Sequence, residues 1–251
     1  MFKNAFFLLL FVVSTTAIFG QIKNDTIALS AVTLKGSPIK NLLQNTAASV
    51  SVITAADINK SDGIILTSVL NKIPGLTMQQ GALNTNRITI RGIGARAQYG
   101  TNKIKAYFDG IPLTTGEGET TIDAIDLASI EKIEIIKGPN STSFGSGLGG
   151  VIQLFSRETP LLASFGKATV TFGSFGLLQQ RLSAGYDDSK TNIFSSYTDL
   201  QTDGFRANSS YNRKSLNLHD KQKMGSNGIL SFLGTFTRLK AFIPSSINET
   251  D

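Results

Sequence analysis

From about residue 165 onward the chain runs in short segments whose alternate residues are apolar, and no other feature restricts it as much. Ala168, Val170 and Phe172 face one way, and Lys167, Thr169 and Thr171 the other. Leu178, Leu182, Ala184 and Tyr186 repeat this against Gln179, Arg181 and Ser183, with Gln180 interrupting the apolar row. Leu216 and Leu218 oppose Ser215, Asn217 and His219. Leu230, Phe232 and Phe236 oppose Ser231, Thr235 and Thr237, with Leu233 on the polar side. Gly, Ser, Asn and Asp punctuate these segments, and no proline enters until Pro244. A period of two is that of the β-strand. Strands with one polar and one lipid-compatible face suit an outer-membrane barrel, and a soluble sandwich alternates equally well. The pattern alone leaves both open.

Composition narrows the chemistry. The 251 residues contain no cysteine and one histidine, His219. This excludes a disulfide framework, a thiolate zinc site and a cysteine nucleophile, and it disfavours a histidine metal site or a Ser–His triad. The net charge of +6 is spread along the chain and does not form a nucleic-acid footprint. Charged residues are 17% of the total, below the roughly 25% of soluble domains, so a membrane setting is compatible.

Lys3 precedes an apolar run from Ala5 to Val13, and small or polar residues follow to Gly20. That order is a secretory signal peptide over residues 1–20, with cleavage expected after Gly20 or after Ala17. The run is too short for a membrane-spanning helix, which needs about 20 apolar residues. Residues 21–45 form a linker broken by Gly36 and Pro38.

Residues 46–158 interleave short strands with helical stretches. Ser49–Ile53 alternates as a strand. A helix is expected from the Ser61-Asp62 cap, with Ile65, Val69, Leu70 and Ile73 on one face and Pro74-Gly75 as its stop. Further strands are expected at Arg87–Arg91, Lys103–Phe108, Ile130–Ile136 and Val151–Phe155. The mixture predicts an α+β domain. Gly145, Gly147 and Gly150 satisfy G-x-G-x-x-G, but a strand rather than a helix follows them, which argues against a dinucleotide loop. Asp109, Glu117, Glu119 and Asp123 are acidic, yet a Gly- and Thr-rich loop explains them as solvated.

Five motifs follow one another here. They are Leu70-Asn71-Lys72-Ile73-Pro74-Gly75-Leu76, then Ile88-Thr89-Ile90-Arg91-Gly92, then Ala106-Tyr107-Phe108-Asp109-Gly110-Ile111-Pro112. Next come Ile130 to Pro139, as IEKIEIIKGP, and Ser143 to Ile152, as SFGSGLGGVI. Their order and spacing resemble the plug domain of TonB-dependent outer-membrane receptors. The resemblance implies an α+β plug over 46–158, followed by the first strands of an antiparallel transmembrane β-barrel over 159–251. The family's barrel has about 22 strands. The residues after Pro160 have room for about five, so a fragment or truncated product is the expectation.

The same resemblance assigns roles. Arg91, Glu134 and Lys137 are implied to latch plug to wall, with Lys137 standing where arginine is usual, so the bidentate fork is lost. Gly75, Gly92, Asp109, Gly110, Gly138, Pro139, Gly145, Gly149 and Gly150 are read as plug turns, where glycine tolerates positive φ. Arg96, Gln98 and Tyr99 are candidate ligand contacts on an apical turn. Asp25-Thr26-Ile27-Ala28-Leu29 looks like a TonB box, which would act by adding a strand to its partner's sheet. The segment between Gln21 and the plug is too short for the extra domain of the family's signalling subclass. Implied partners are TonB with the inner-membrane ExbB-ExbD complex, a metal chelate and outer-membrane lipid, with no nucleic acid. No catalytic residue, resident metal or cofactor is expected. The implied cargo is a ferric siderophore, with cobalamin or another nutrient as alternatives. A secreted β-rich module that binds a glycan or surface is the rival from a different class.

Overall fold

The computed structural model describes residues 34–35, 48–83, 85–94, 101–115, 118–122, 125–139, 144–145 and 147–244. Its first half holds two small sheets. One has the order β1-β7-β8-β5-β6, from β1 (Ser49–Thr54), β5 (Ile104–Phe108), β6 (Ile111–Pro112), β7 (Ile130–Lys137) and β8 (Gly150–Ser156). Its pairs are antiparallel except β5 with β8, which run parallel. The other sheet joins β2 (Leu76–Ala82), β3 (Thr85–Ile90) and β4 (Ile93–Gly94).

Local chemistry sets the connections. Thr54 and Asp57 form a reciprocal capping box that starts α1 (Ala55–Asn59). The expected helix from Ser61 is shorter than its pattern: α2 covers only Thr67–Leu70. Asp62 Oδ1 accepts from the Ile64 and Ile65 amides, and Gly63 takes a φ of 66°, so this stretch turns before the helix begins. Such Asx turns offer the backbone an alternative to helix. Asp109 and Gly110 both have positive φ between Phe108 and its partner Ile111, as a two-residue hairpin turn needs. Arg91 and Gly92 repeat this between Ile90 and Ile93.

A continuous core unites these pieces: Val69 and Leu70 of α2 pack with Ile88, Ile90, Ile104, Ile133, Ile135, Ile152 and Leu154. β8 is buried along its whole length, Gln153 included, which explains why Val151, Ile152, Leu154 and Phe155 are apolar on both faces.

The second half is one antiparallel meander, β9 (Ser164–Phe172), β10 (Leu178–Asp187), β11 (Thr191–Thr202), β12 (Tyr211–Met224) and β13 (Gly228–Ala241), in the order β13-β12-β11-β10-β9. It is an open sheet. Its outer face carries cross-strand rows, among them Ala168, Leu182, Tyr197, Leu216 and Phe236. Leu182, Leu216, Phe232 and Phe236 are each exposed on it. The inner face is polar and largely buried against the first half, with Gln179, Ser196, Thr198, Arg213, Ser215, Asn217 and His219. Leu233, an apolar residue on the inner side of β13, packs against the first domain's core. β11 mixes the pattern: Phe194 and Leu200 are buried inward beside Ser196 and Thr198, so alternation in the sequence does not single it out.

Candidate functional site at the seam between plug and sheet

The candidate site is the seam where the first domain meets the inner face of the meander. At one end stands Asp126, buried and at the N-cap of the 3-10 turn Leu127–Ser129, where its Oδ1 accepts from the Ala128 amide. Two guanidiniums approach the same oxygen, Arg213 of β12 at 3.6 Å and Arg181 of β10 at 3.9 Å. Arg181 also donates to the Gly63 carbonyl at 2.8 Å, a second tie to the first domain. A carboxylate so buried is stable only with paired charge, and removing one partner of such a group typically costs about 3–5 kcal/mol.

The linker between the two halves makes a second set of ties. Ser156 Oγ lies 3.2 Å from His219 Nδ1, and that ring nitrogen lies 3.2 Å from the Arg157 carbonyl. Thr159 donates its amide to Asn192 and its hydroxyl to the Ile193 carbonyl, and Asn192 donates back to the Thr159 carbonyl. Lys221 of β12 sits 2.5 Å from Glu158, which also meets Lys35 at 3.5 Å. Burial and repulsion from Arg181 hold the Arg157 guanidinium below its ordinary value, against the pull of Glu131.

Glu158 has a testable pH signature. Burial pushes its carboxyl up, but the hydrogen bond and charge of Lys221, with Lys35, outweigh this and leave it below the ordinary carboxylate value. A group depressed in the folded state stabilises above its unfolded value and loses that contribution as pH falls through the folded one. The tie is therefore whole at neutral pH and fails in acid, below about pH 4.3. Protection of the amides at residues 157–159, measured relative to their intrinsic exchange rates, should fall in that range, and Glu158→Gln should remove that acid-dependent loss of protection. Unchanged protection of these amides in the unsubstituted protein would contradict this.

The residues expected to latch are distributed as follows. Glu134 is buried in the middle of β7, 2.6 Å from Lys132, and accepts from the Lys35 amide at 2.8 Å. Lys137 donates to the Pro74 carbonyl at 2.8 Å. The Arg91 amide donates to the Gly75 carbonyl at 2.7 Å, and its guanidinium passes Gly138, where an added Cβ would sit 3.8 Å from Nη1. These contacts lie within the first domain, with the Lys35 segment as the bridge from the N-terminal side.

The turn glycines Gly75, Gly92, Gly110, Gly138, Gly145 and Gly150 all take positive φ. Gly149 is buried, and its amide donates to the Lys103 carbonyl, while Pro139 is exposed. A strand, β8, follows the glycines, so the loop lacks the helix a dinucleotide fingerprint needs. Asp109 Oδ1 accepts from the Ser156 amide and so serves the fold. Residues 1–20, Asp25 to Leu29, and Arg96, Gln98, Tyr99, Glu117 and Asp123 lie outside the described residues.

Sequence reasoning missed Asp126, Arg181, Arg213 and His219 as a group. The available signal was charge on a wall strand: Arg181 falls on the polar face of its segment, opposite Leu182, while Arg213, between Asn212 and Lys214, carries no such contrast.

An α+β stopper tied by polar contacts to the inner face of an antiparallel meander is the architecture of a plug domain with the first strands of a barrel wall. Residues 42–151 match the TonB-dependent receptor plug domain. That stretch is a TonB-dependent receptor plug domain, and the chain is an outer-membrane protein. It is 33% identical over 126 residues to the iron-regulated outer membrane virulence protein of Vibrio cholerae, covering 47% of this chain and 18% of that protein. It is 26% identical over 193 residues to the vitamin B12 transporter BtuB of Vibrio vulnificus, covering 74% of this chain and 29% of the transporter. In fold it is similar to the pyoverdine receptor FpvA of Pseudomonas aeruginosa, with a TM-score of 0.69, 16% identity, and coverage of 82% of this chain and 30% of the receptor. The chain thus spans less than a third of each.

Proposed function

We propose that this chain is the plug and first wall segment of a receptor that takes up a scarce, bulky ligand across the outer membrane, most simply a ferric siderophore. The observation that carries the reading is the nature of the seam. The plug keeps its own sealed core and meets the wall through a few polar ties, with Leu233 as the wall residue packed on that core. A stopper built this way shifts without unfolding the wall.

Energy reaches an outer membrane, which has no ATP, through a physical link. TonB, driven by ExbB-ExbD, pairs with the segment Asp25–Leu29 and pulls. Iron is favoured as cargo by the Vibrio cholerae relative, whose name records iron regulation. The longer match to a vitamin B12 transporter keeps cobalamin as the second reading.

The test uses cells carrying the intact gene, starved of iron and offered radio-iron siderophores. Deletion should abolish accumulation. Ile27→Pro, which removes a backbone donor needed for strand addition, should leave surface binding intact and reduce accumulation by more than about tenfold. Accumulation that persists in Ile27→Pro would overturn the pulling mechanism. A deletion strain that loses cobalamin uptake while keeping iron uptake would reassign the cargo.

A further inference from the structure

Cations on the outward face of the meander's strands are confined to its loop end. Lys214 of β12 pairs across strands with Arg238 of β13, and the next outward pair toward the loops is Asn212 with Lys240. All three cations are exposed. They share the face of Leu216 and Phe236, which pair two positions further along the same strands. Lys214 meets Asp199 of β11 at 3.1 Å, whereas Arg238 and Lys240 form no ion pair among the described residues. The Lys240 ammonium stands 5.1 Å from the centre of the Phe242 ring. At the opposite end the outward positions of β12 carry Asp220 and Gln222, with Phe232 and Leu230 as their partners on β13.

This basic row sits at the height of lipid head groups. The meander has short turns at 188–190 and 225–227 and longer loops at 173–177 and 203–210, and in outer-membrane barrels the longer loops are extracellular. From Gly228, beside a short turn, to Arg238, β13 rises about 33 Å. At the roughly 40° tilt of barrel strands this is about 25 Å along the membrane normal, the height of the apolar band. Leu230, Phe232 and Phe236 occupy that interval on β13, and the exposed Phe172 and Phe242 stand at the loop end, where aromatic residues mark the interface. Arg238 and Lys240 therefore face the head groups of the outer leaflet.

We propose that Lys214, Arg238 and Lys240 form a seat for the phosphate of an anionic outer-leaflet lipid, whose acyl chains lie along the apolar rows beneath. Charge complementarity selects the occupant, because three cations face one carboxylate, Asp199, at the edge of a hydrocarbon layer. Arg238 supplies a planar fork that matches two phosphate oxygens, and the lysines flank it as point charges. Asp199 holds Lys214 at rest and competes with the phosphate for it. A phosphate set across the Lys214–Arg238 pair staples β12 to β13 from outside. The seat lies on the face of the sheet turned away from the plug, so it goes beyond the uptake reading and is independent of the cargo.

The experiment uses the intact purified receptor in dodecyl maltoside, with bisphosphorylated lipid A as the probe and the same lipid stripped of its phosphates as the control. Native mass spectrometry counts the lipid retained, and titration gives its affinity. The bisphosphorylated form should bind more than about tenfold more tightly than the stripped one. A lysine or arginine near a membrane surface contributes about fivefold to such binding. Arg238→Gln should therefore weaken it about fivefold, and Arg238→Gln with Lys240→Gln about thirtyfold. Asp199→Asn removes the competing carboxylate and should tighten binding, a gain that a merely structural role does not produce. Lys223→Gln removes the same charge at the turn end and should change nothing. Equal binding of the two lipids, full binding by the double variant, unchanged or weaker binding in Asp199→Asn, or an equal loss in Lys223→Gln would each overturn the seat. Tighter binding of a polyglutamate peptide than of lipid A would assign the row to an acidic protein and overturn it as well. If the double variant fails to fold, Lys240→Gln decides alone. A receptor that passes here but fails the cell uptake test refutes the uptake reading and leaves the seat standing.

Discussion

Gly150→Val is expected to abolish assembly of the plug. Gly150 opens β8 with a φ of 141°, a conformation essentially reserved for glycine, whose occupation by another residue costs about 1–3 kcal/mol. The space is also taken. An added Cβ would run into the Ile136 carbonyl oxygen and lie 3.2 Å from Ile90 Cδ1 and 3.3 Å from the Gly138 nitrogen. Two of those atoms are backbone and cannot rotate aside. The β7–β8 pairing at Lys137 and Gly150 closes the centre of the plug sheet, so relief by backbone movement breaks a register that the core depends on. The expected result is a loss of several kcal/mol of plug stability, seen as degradation in cells and loss of protease resistance across 46–158. Gly166→Ala is the control: nothing lies within 4 Å of its added Cβ, and its effect should stay within about 0.5 kcal/mol. A Gly150→Val protein as protease-resistant as the unsubstituted one would refute the argument.

Phe236→Arg tests the outer face, and its sign separates a barrel wall from a soluble sheet. Phe236 is exposed and lies in register with Leu216, which is flanked in turn by Tyr197 and Leu182. In water, replacing an exposed phenylalanine with arginine is nearly neutral and improves solubility. Against lipid, an arginine at the bilayer midplane costs about 2–4 kcal/mol. Urea titration of the intact receptor in lipid vesicles should therefore show destabilisation of that order, with a matching fall in outer-membrane abundance. A neutral effect in vesicles would mean that this face does not meet hydrocarbon.

Both predictions rest on features read at different depths. Gly150 is visible in the sequence as one of a run of glycines before an apolar strand, but the atoms that forbid a side chain there come from Ile136, Ile90 and Gly138. Phe236 is placed on the outer face by alternation alone. The misjudged elements have physical causes of the same kind. The helix pattern from Ser61 is genuine in its apolar spacing, yet Asp62 captures two backbone amides and delays the helix to Thr67. Leu233 looks out of place on the inner side of β13 until the plug core is set against it. Glu134 reads as a charge on a strand, and its burial follows from β7 being flanked on both sides by β1 and β8.

The amino-acid order alone determined the strand and turn grammar of this protein: the two-residue period of the wall, the Asp109-Gly110 hairpin, and the succession of motifs that marks a plug. These depend on neighbours a few positions apart, where side-chain direction and backbone freedom are local properties. Only the tertiary structure decided which charges share the seam. Asp126 meets Arg181 and Arg213, and Ser156 meets His219, across long stretches of chain. A buried charge acquires its meaning from whatever removes it from water, and that partner is chosen by the packing of one domain on the other.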